Sequence, residues 1–339
     1  MQMRVLIIGA GVAGLTCAVE LAERGAVITV IERAATLGGG NCSWCAGGML
    51  APWCELAGGA EPIILQLGMQ SIAWWRERFP GLRCEGTLVI AKGRDASELE
   101  QFARRAQHFQ RLSGKALGAL EPDLAGRFTD ALYFPDEGHL DPRLALCFLA
   151  SRLRELGGEI RFGTTFNDAD FTGLRIVDCR GLAARDVLPD LRGVKGEMLL
   201  LRSREMTLRR PIRFLHPRVP VYIVPRGDGL YMVGATLIEN DEHDKVAVRS
   251  ALELLSAVYA VHPAFGEAQI LEIGAQARPA FFDNRPRIRR RGDAFYINGL
   301  YRHGFLVAPA LATRIADALL HDRHDPEVMD EDSSERRLA

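Results

Sequence analysis

The first 33 residues carry the pattern that most constrains the fold of this chain. An apolar run at residues 5–8 is followed by three glycines spaced as GxGxxG, a helical pattern that ends at Gly25, and a second apolar run at residues 27–31. Such continuous apolar runs are typical of strands buried on both faces of a parallel sheet. Because GxGxxG stands here between a strand and a helix, it predicts a dinucleotide site; the alternative is a glycine-rich turn in an unrelated α/β protein.

Each glycine has its own role in such a unit. Gly9 permits the tight turn, Gly11 lets a pyrophosphate approach the backbone, and Gly14 lets the helix pack closely on the strand. The helix N-terminus offers free N–H groups to the phosphates. Glu32 ends the second strand, where it can accept both ribose hydroxyls and would repel a 2′-phosphate, so NAD or FAD is favoured over NADP.

Composition limits the other classes of function. The chain has 339 residues, enough for about two domains. Its 42 basic and 43 acidic residues argue against a nucleic-acid or anionic-membrane partner. We find no signal peptide and no apolar run of about 18 residues that would span a membrane. The seven scattered cysteines indicate a cytoplasmic protein with reduced thiols, and the eight histidines show no metal-ligand spacing.

The rest of the chain changes character along its length. Apolar periodicity predicts helices at residues 61–79, 95–112, 142–156, 245–261 and 308–320. From residue 196 the chain is rich in short apolar runs separated by turns, with Gly227-Asp228-Gly229 as a hairpin turn. Runs of this kind predict an antiparallel sheet, different in kind from the opening unit.

Several stretches together resemble the FAD-dependent D-amino acid oxidase superfamily, and most closely its glycine oxidase branch of thiamine biosynthesis. They are the opening glycines with Glu32-Arg33, residues 46–52 (AGGMLAP), 178–185 (DCRGLAAR), 221–236, Arg278-Pro279 and 299–309 (GLYRHGFLVAP). Their order and spacing cover residues 4 to about 320. The chain departs from the family between Phe166 and Arg175, where a small three-stranded insert is missing.

The resemblance implies an α/β protein with two domains. A Rossmann-like FAD-binding domain would be assembled from residues 1–78, 136–196 and 276–325. An α+β substrate domain with a large antiparallel sheet would comprise residues 79–135 and 197–275. We expect residues 326–339 to form a disordered tail, because this terminal stretch is highly charged.

The resemblance also implies a set of FAD-binding residues, extending from the glycine turn to the last helix. They are Gly9, Gly11, Val12, Ala13, Gly14, Glu32, Arg33, Ser43, Ala46, Gly47, Gly48, Met49, Phe166, Cys179, Gly181, Leu182, Gly299, Tyr301, Arg302, His303, Gly304, Phe305 and Leu306.

An amino acid in an apolar site needs a partner for its carboxylate, and arginine supplies a planar two-pronged one. Arg278 matches the family's carboxylate arginine, and Tyr222 a tyrosine that could bond the same carboxylate. A structural salt bridge and a core tyrosine are the alternatives. Arg302 is expected beside the flavin and near the substrate, and Met49 and Leu237 are either pocket walls or ordinary core.

The reaction implied is oxidation of glycine or a similar small amine to the imine by hydride transfer to flavin N5, with O₂ reoxidation to H₂O₂. We name no catalytic base, because the amine must only be deprotonated and the cofactor carries the chemistry. The imine would hydrolyse or pass to an enzyme of thiazole synthesis, and a homo-oligomer is possible. The alternatives are a D-amino acid dehydrogenase or oxidase, a sarcosine-type secondary amine oxidase, and a flavin-binding protein without turnover.

Three further motifs have ordinary explanations. Cys42-x-x-Cys45 spells a redox or metal motif, but no second CxxC or thioredoxin-like context supports that function. Residues 285–291 contain five arginines and are typical of a solvated face rather than of a nucleic-acid site. Residues 241–244 predict a solvated loop, with a gate at the substrate entrance as the alternative.

Overall fold

The computed structural model describes residues 2–167, 173–242 and 244–330. Strands in these ranges are β1 (Arg4–Ile8), β2 (Val27–Glu32), β3 (Met49–Leu50), β4 (Thr87–Ala91), β5 (Gln110–Ser113), β6 (Asp130–Phe134), β7 (Gly138–His139), β8 (Glu159–Phe162), β9 (Arg175–Asp178), β10 (Arg192–Arg202), β11 (Ile212–Leu215), β12 (Val221–Gly227), β13 (Leu230–Gly234), β14 (Gln269–Ala280), β15 (Arg287–Arg291), β16 (Ala294–Asn298) and β17 (Met329–Asp330). The α-helices are α1 (Val12–Glu23), α2 (Pro52–Ala57), α3 (Pro62–Arg78), α4 (Ala96–Arg105), α5 (Gly114–Leu120), α6 (Pro142–Glu155), α7 (Val248–Val261) and α8 (Gly304–His321).

The opening unit has the predicted form. β1 and β2 pair in parallel, with Leu6 opposite Thr29, and α1 connects them after the glycine turn. Together with β8, β9, β15, β16 and β17 they form a seven-stranded sheet of order β17-β15-β16-β9-β1-β2-β8. β1 lies in the interior of the sheet between β9 and β2, and its residues after Arg4 are buried, which explains its unbroken apolar run.

Helices α1, α3, α6 and α8 cover this sheet and share one apolar core. α8 lies against α1 and α3, and the Trp75 Nε1–H donates to the Phe305 carbonyl at 2.9 Å. By length and composition α8 is apolar enough to cross a membrane, but more than half of it is buried inside the protein. Its apolar character is therefore explained by its place in the core.

The antiparallel sheet predicted from residue 196 onward is present, and it also takes three strands, β4, β5 and β6, from the first half of the chain. Its order is β14-β10-β13-β12-β11-β4-β6-β5, and the neighbours are antiparallel except for β11 and β4. β12 and β13 form a hairpin in which Asp228 and Gly229 both have positive φ, as a two-residue turn of this hand requires. α7 packs on β10, β12 and β13 and completes a second core.

The distribution of strands between the two sheets bears on the predicted domains. The seven-stranded sheet takes its strands from residues 4–32, 159–178, 287–298 and 329–330, and the eight-stranded sheet from 87–134 and 192–280. The predicted boundaries at 196/197 and 275/276 fall inside β10 and β14, which run on without a break. The division into domains stays a prediction.

Three local predictions were wrong. The helix predicted over 95–112 ends at Arg105, and His108 takes a positive φ before the chain returns as β5 to pair with β6. α8 begins at Gly304, four residues earlier than predicted. Residues 326–330 are not disordered, because Met329 is buried and β17 pairs with β15. The rest of the predicted tail, residues 331–339, lies outside the described residues.

Candidate active site

Close backbone packing explains the glycines of the opening turn. A Cβ on Gly14 would lie 1.9 Å from the Gly9 carbonyl oxygen, and a Cβ on Gly9, whose φ is +103°, would lie 2.9 Å from the Cys179 oxygen. The N-cap residue of α1, Gly11, has no side chain to cap the helix, and the Val12 N–H donates to Ser43 Oγ at 3.1 Å. The helix therefore presents a positive N-terminal end beside a turn that only glycine fits.

Glu32 stands at the end of β2, as the dinucleotide pattern requires. It is buried, and its two oxygens accept from the Ala10 N–H at 2.8 Å and the Ala34 N–H at 2.9 Å. Each carboxylate oxygen has a second lone pair, so the fixed carboxylate can still accept ribose hydroxyls. Arg33 is exposed, and Phe166 packs against the cluster of Leu6, Ile8 and Ile31.

A cavity of about 560 Å³ adjoins this turn and extends to the eight-stranded sheet. The residues named for FAD or substrate that line it are Gly11, Val12, Ala13, Ser43, Ala46, Gly47, Gly48, Met49, Cys179, Gly181, Tyr222, Arg278, Tyr301, Arg302, His303, Gly304, Phe305 and Leu306. The named residues outside the lining are Gly9, Gly14, Glu32, Arg33, Phe166, Leu182 and Gly299. The FAD and substrate roles of both groups stay predictions.

Arg278 lies on β14 with its guanidinium in the cavity wall. Its Nη1–H donates to the Thr236 carbonyl at 3.4 Å, and it forms no ion pair with any carboxylate of residues 2–167, 173–242 and 244–330. Room for it comes from Gly196 on β10, where a Cβ would lie 1.9 Å from Arg278 Nη2. A structural salt bridge, the alternative weighed for this residue, is therefore not found in the described part of the chain.

Tyr222 on β12 lies across the cavity wall between two glycines. A Cβ on Gly47 would lie 2.8 Å from its Cε2 atom, and a Cβ on Gly234 would lie 2.8 Å from its hydroxyl oxygen. Burial raises the pKa of Tyr222, even though Arg278 and Arg302 favour its ionised form. The hydroxyl therefore stays protonated near neutral pH and can donate to an anion in the cavity.

An ion cluster that sequence reasoning missed holds Arg302. Its Nε–H donates to Glu55 Oε2 at 2.8 Å and its Nη2–H donates to the same oxygen, while Arg213 Nη1 is 3.1 Å from Glu55 Oε1. Burial alone would raise the pKa of Glu55, but Arg302, Arg213 and His303 outweigh it and hold this pKa well below its usual range. One signal could have revealed Glu55, because it is the sole acid among the small and apolar residues 34–60.

His303 precedes α8 and is buried beside this cluster, with Nδ1 3.5 Å from Glu55 Oε2. Burial lowers the pKa of His303 to about 4, so the ring is neutral near pH 7. No side chain of the described residues caps α8, and Gly304, Phe305 and Leu306 of its first turn line the cavity. This positive helix end suits a group that becomes electron-rich.

The remaining predicted motifs also have places in the structure. Cys42 and Cys45 line the cavity as free thiols, and burial raises the pKa of both, that of Cys45 to about 11. Leu237 lies in the cavity wall and is half exposed, so it stands at the opening.

The arginine-rich segment contains strand β15, which pairs with β16 in a hairpin and with β17 on its other side. Arg287 pairs with Asp283 and Arg289 with Asp190, but both arginines lie over the Phe281 ring and are mostly buried, whereas Arg290 is exposed, so the predicted solvated face holds only in part. In the 241–244 loop, Asp241 pairs with Arg185, and His243 lies outside the described residues.

These residues fit FAD. The glycine turn and the start of α1, whose N-cap is Gly11, suit a pyrophosphate. Glu32 suits a ribose, and the first turn of α8 suits the ring edge that gains charge. The adjoining cavity wall carries an arginine without a carboxylate partner in the described part of the chain. The site can therefore hold a flavin and an anionic small molecule side by side.

Comparison with known proteins agrees with this geometry. The model of the FAD dependent oxidoreductase family matches residues 4–318. A thiamine biosynthesis oxidoreductase, ThiO, of Rhizobium etli is 51% identical over 96% of this chain and 99% of its own length. A bifunctional protein ThiO/ThiG of a Nostoc species is 26% identical over 96% of this chain but only 54% of its own length.

Among solved structures, glycine oxidase from Geobacillus kaustophilus superposes with a TM-score of 0.80 at 24% identity, over 96% of each chain. This likeness confirms the predicted α/β architecture with a Rossmann-like part and a large antiparallel sheet. The extent of the family match and the identity with the Rhizobium protein go further than fold. The chain belongs to the FAD dependent oxidoreductase family.

Proposed function

We propose that this enzyme oxidises the amine of glycine and similar small amino acids to the imine. The observation that carries the proposal is the Arg278 guanidinium, which lies in a cavity shared with the flavin-fitted wall and has no carboxylate partner among the described residues. Desolvating an unpaired cation is costly, so its natural partner is an anion that enters the cavity. The carboxylate of an amino acid matches its planar fork.

The side chains around Arg278 orient such a substrate. Tyr222 offers its hydroxyl as a donor to the same carboxylate, and its ring is held between Gly47 and Gly234. Arg302 is paired with Glu55, which also binds Arg213, so these two arginines and one carboxylate together leave one net positive charge in the wall. Met49 and Leu237 supply apolar wall that limits the size of the side chain on Cα.

When bound, FAD would supply the oxidant for converting the amine to the imine, and reoxidation of the flavin by O₂ would give H₂O₂. The protein has to hold Cα in line and exclude competing reactions. Hydride transfer needs no general base once the amine is neutral, and we assign none.

We infer that the imine is used for the thiazole of thiamine. The Rhizobium relative is named for thiamine biosynthesis, and in the Nostoc relative ThiO is part of one chain with ThiG. A separate thiazole-forming enzyme is therefore the partner we propose. The seven cysteines are free thiols, which supports a cytoplasmic location.

Anaerobic addition of glycine to the purified flavoprotein tests the proposal. We expect the visible flavin band to bleach and to return with air, together with H₂O₂. In Arg278→Ala, FAD should stay bound while the KM for glycine rises roughly 10- to 100-fold, the loss expected for a charged hydrogen-bonded pair. Arg290→Ala, a change at an exposed arginine of β15, is the matched control.

Other results would redirect the proposal. Bleaching by sarcosine or D-alanine but not glycine would change the substrate, and bleaching without H₂O₂ in air would indicate a dehydrogenase with another acceptor. If no amine bleaches the band, the protein binds flavin without this turnover.

A further inference from the structure

A Lys195-Gly196-Glu197 triplet on β10 stands beside the carboxylate-binding arginine. Gly196 lines the cavity and makes room for the Arg278 guanidinium. Side chains alternate along a strand, so Lys195 and Glu197 lie on its other face. Glu197 is fully buried, its Oε1 is 3.1 Å from Lys195 Nζ, and neither residue is part of the cavity lining.

Besides Lys195, the Glu197 carboxylate accepts hydrogen bonds from two neighbouring segments of the chain. Its Oε2 accepts from the Thr236 hydroxyl at 3.1 Å, and that hydroxyl accepts from the Glu197 N–H at 2.9 Å. Its Oε1 accepts from the Ala247 N–H at 3.0 Å, at the start of α7. Burial opposes ionisation, but hydrogen bonds from Ser250, Ala247 and Lys195 outweigh it and lower the pKa of Glu197.

Thr236 connects this buried carboxylate to the cavity. Its hydroxyl is held by Glu197, and its carbonyl oxygen accepts from Arg278 Nη1 at 3.4 Å. The residues after Thr236 are also bound to β10, because Lys195 and Ile238 exchange two backbone hydrogen bonds at 2.8 and 3.1 Å. The cavity wall at residues 235–238 is therefore fixed from behind by β10.

The orientation of Arg278 depends on this wall. The Thr236 carbonyl is the one hydrogen-bond acceptor found for its guanidinium in the described part of the chain. A two-pronged contact with a carboxylate needs the plane of the guanidinium to be set, which a long flexible side chain does not achieve alone. Because desolvation offsets much of the attraction in a buried ion pair, the Lys195–Glu197 pair is weak evidence that Glu197 serves stability. Its contacts with Thr236 are better explained by a role in positioning the cavity wall.

We propose that Glu197 is a positioning residue for substrate binding, which fixes Thr236 so that its carbonyl orients Arg278, and which ties this wall to the start of α7 at the cavity. The proposal rests on the role proposed above for Arg278. It requires that changes at Glu197 act on carboxylate binding through Arg278 and leave the cofactor site intact.

A double-mutant cycle with acetate as the probe tests it. Acetate carries the carboxylate without an oxidisable amine, so its binding to the flavoprotein is measured by calorimetry and by the change in flavin absorbance, without turnover. We expect Glu197→Gln to raise the acetate Kd about ten-fold in the otherwise unchanged protein and less than two-fold in Arg278→Ala. The KM for glycine should rise while kcat changes less than two-fold.

Glu121→Gln is the matched control, because Glu121 is also fully buried, pairs with an arginine (Arg210 Nε at 2.8 Å) and accepts from a backbone N–H. Unlike Thr236, the partner of Glu197, its partners Arg209 and Arg210 do not line the cavity. Glu121→Gln should leave the acetate Kd unchanged. Thr236→Val removes the hydroxyl alone and should raise the acetate Kd in the same way as Glu197→Gln. This second variant tests the inference if Glu197→Gln does not fold.

The inference would be overturned if Glu197→Gln raised the acetate Kd equally in the natural protein and in Arg278→Ala. It would also be overturned if neither Glu197→Gln nor Thr236→Val raised the acetate Kd. If Arg278→Ala alone leaves acetate binding unchanged, the assignment of Arg278 fails, and the inference fails with it. The two failures are distinguished by that single variant.

Discussion

Glu55 and Arg302 form a nearly buried ion pair in which both Nε and Nη2 of the arginine donate to one carboxylate oxygen. The pair joins α2 to the turn before α8, two segments that meet at the cavity wall. Arg213 on β11 binds the other carboxylate oxygen, so the same acid also reaches the eight-stranded sheet. One side chain thus links three segments around the site.

Glu55→Gln should destabilise the enzyme, because it leaves two arginines of the wall without their counter-ion. Removing one partner of a buried pair costs about 3 kcal/mol, the lower end of the usual range, which suits a side chain that is 15% exposed. Denaturant unfolding of the flavoprotein measures this loss. Glu100→Gln breaks an exposed pair with Arg111 and should leave stability unchanged, and equal effects of the two variants would argue against the cluster's structural role.

Gly14→Ala should abolish tight FAD binding. The added methyl group would lie 1.9 Å from the Gly9 carbonyl oxygen, so either the turn or α1 must shift away from the position that meets the pyrophosphate. The ratio of flavin to protein absorbance after purification is the measurement. Gly93→Ala is the control, since a Cβ there meets nothing within 4 Å; full flavin content in Gly14→Ala would contradict the role of the turn.

The parts of the fold and of the site that could be predicted from the sequence are those determined by residues close together along the chain. The β1-turn-α1-β2 unit depends on a short run whose spacing can be read directly, and Asp141 caps α6 through the N–H groups of Arg143 and Leu144, two and three residues on. Arg278 was found through resemblance to a family, and the structure adds that its guanidinium faces the cavity.

The parts that could not be predicted depend on distant residues. Glu55 and Arg302 are 247 positions apart, and no local pattern says that they meet. The wrong helix over 95–112 has a similar cause: its second half is charged enough to suit a helix, but it is held as β5 by pairing with β6. Tertiary pairing overrides local propensity at such places.

Gly47→Ala should weaken substrate binding more than cofactor binding. A Cβ there would lie 2.8 Å from Tyr222 Cε2, so the ring must move and carry its hydroxyl away from the carboxylate position. We expect the KM for glycine to rise about 5- to 10-fold, the effect of losing about one hydrogen bond, with a smaller loss of flavin content, since Gly47 is also among the residues predicted for FAD. Tyr222→Phe should produce a similar rise on its own and no further rise in Gly47→Ala; independent, multiplying effects would contradict this explanation.

Glu137 should make stability depend on pH in an unusual direction. Burial raises the pKa of Glu137 to about 7, because it outweighs the Cys54 N–H, bonded to Oε1 at 2.7 Å, and the nearby Thr87, Cys54 and Arg213 side chains, which favour the ionised form. The folded state therefore holds a proton that the unfolded chain releases above about pH 4.5, so this stabilising contribution is lost as pH rises from about 4.5 to 7, by roughly 3 kcal/mol. Glu137→Gln mimics the protonated form and removes this dependence. Denaturant unfolding at pH 5 and pH 8 is the measurement. The free energy of unfolding of Glu137→Gln, relative to that of the natural protein, should be higher at pH 8 than at pH 5. The same difference at both pH values would mean that Glu137 does not change its protonation state between them.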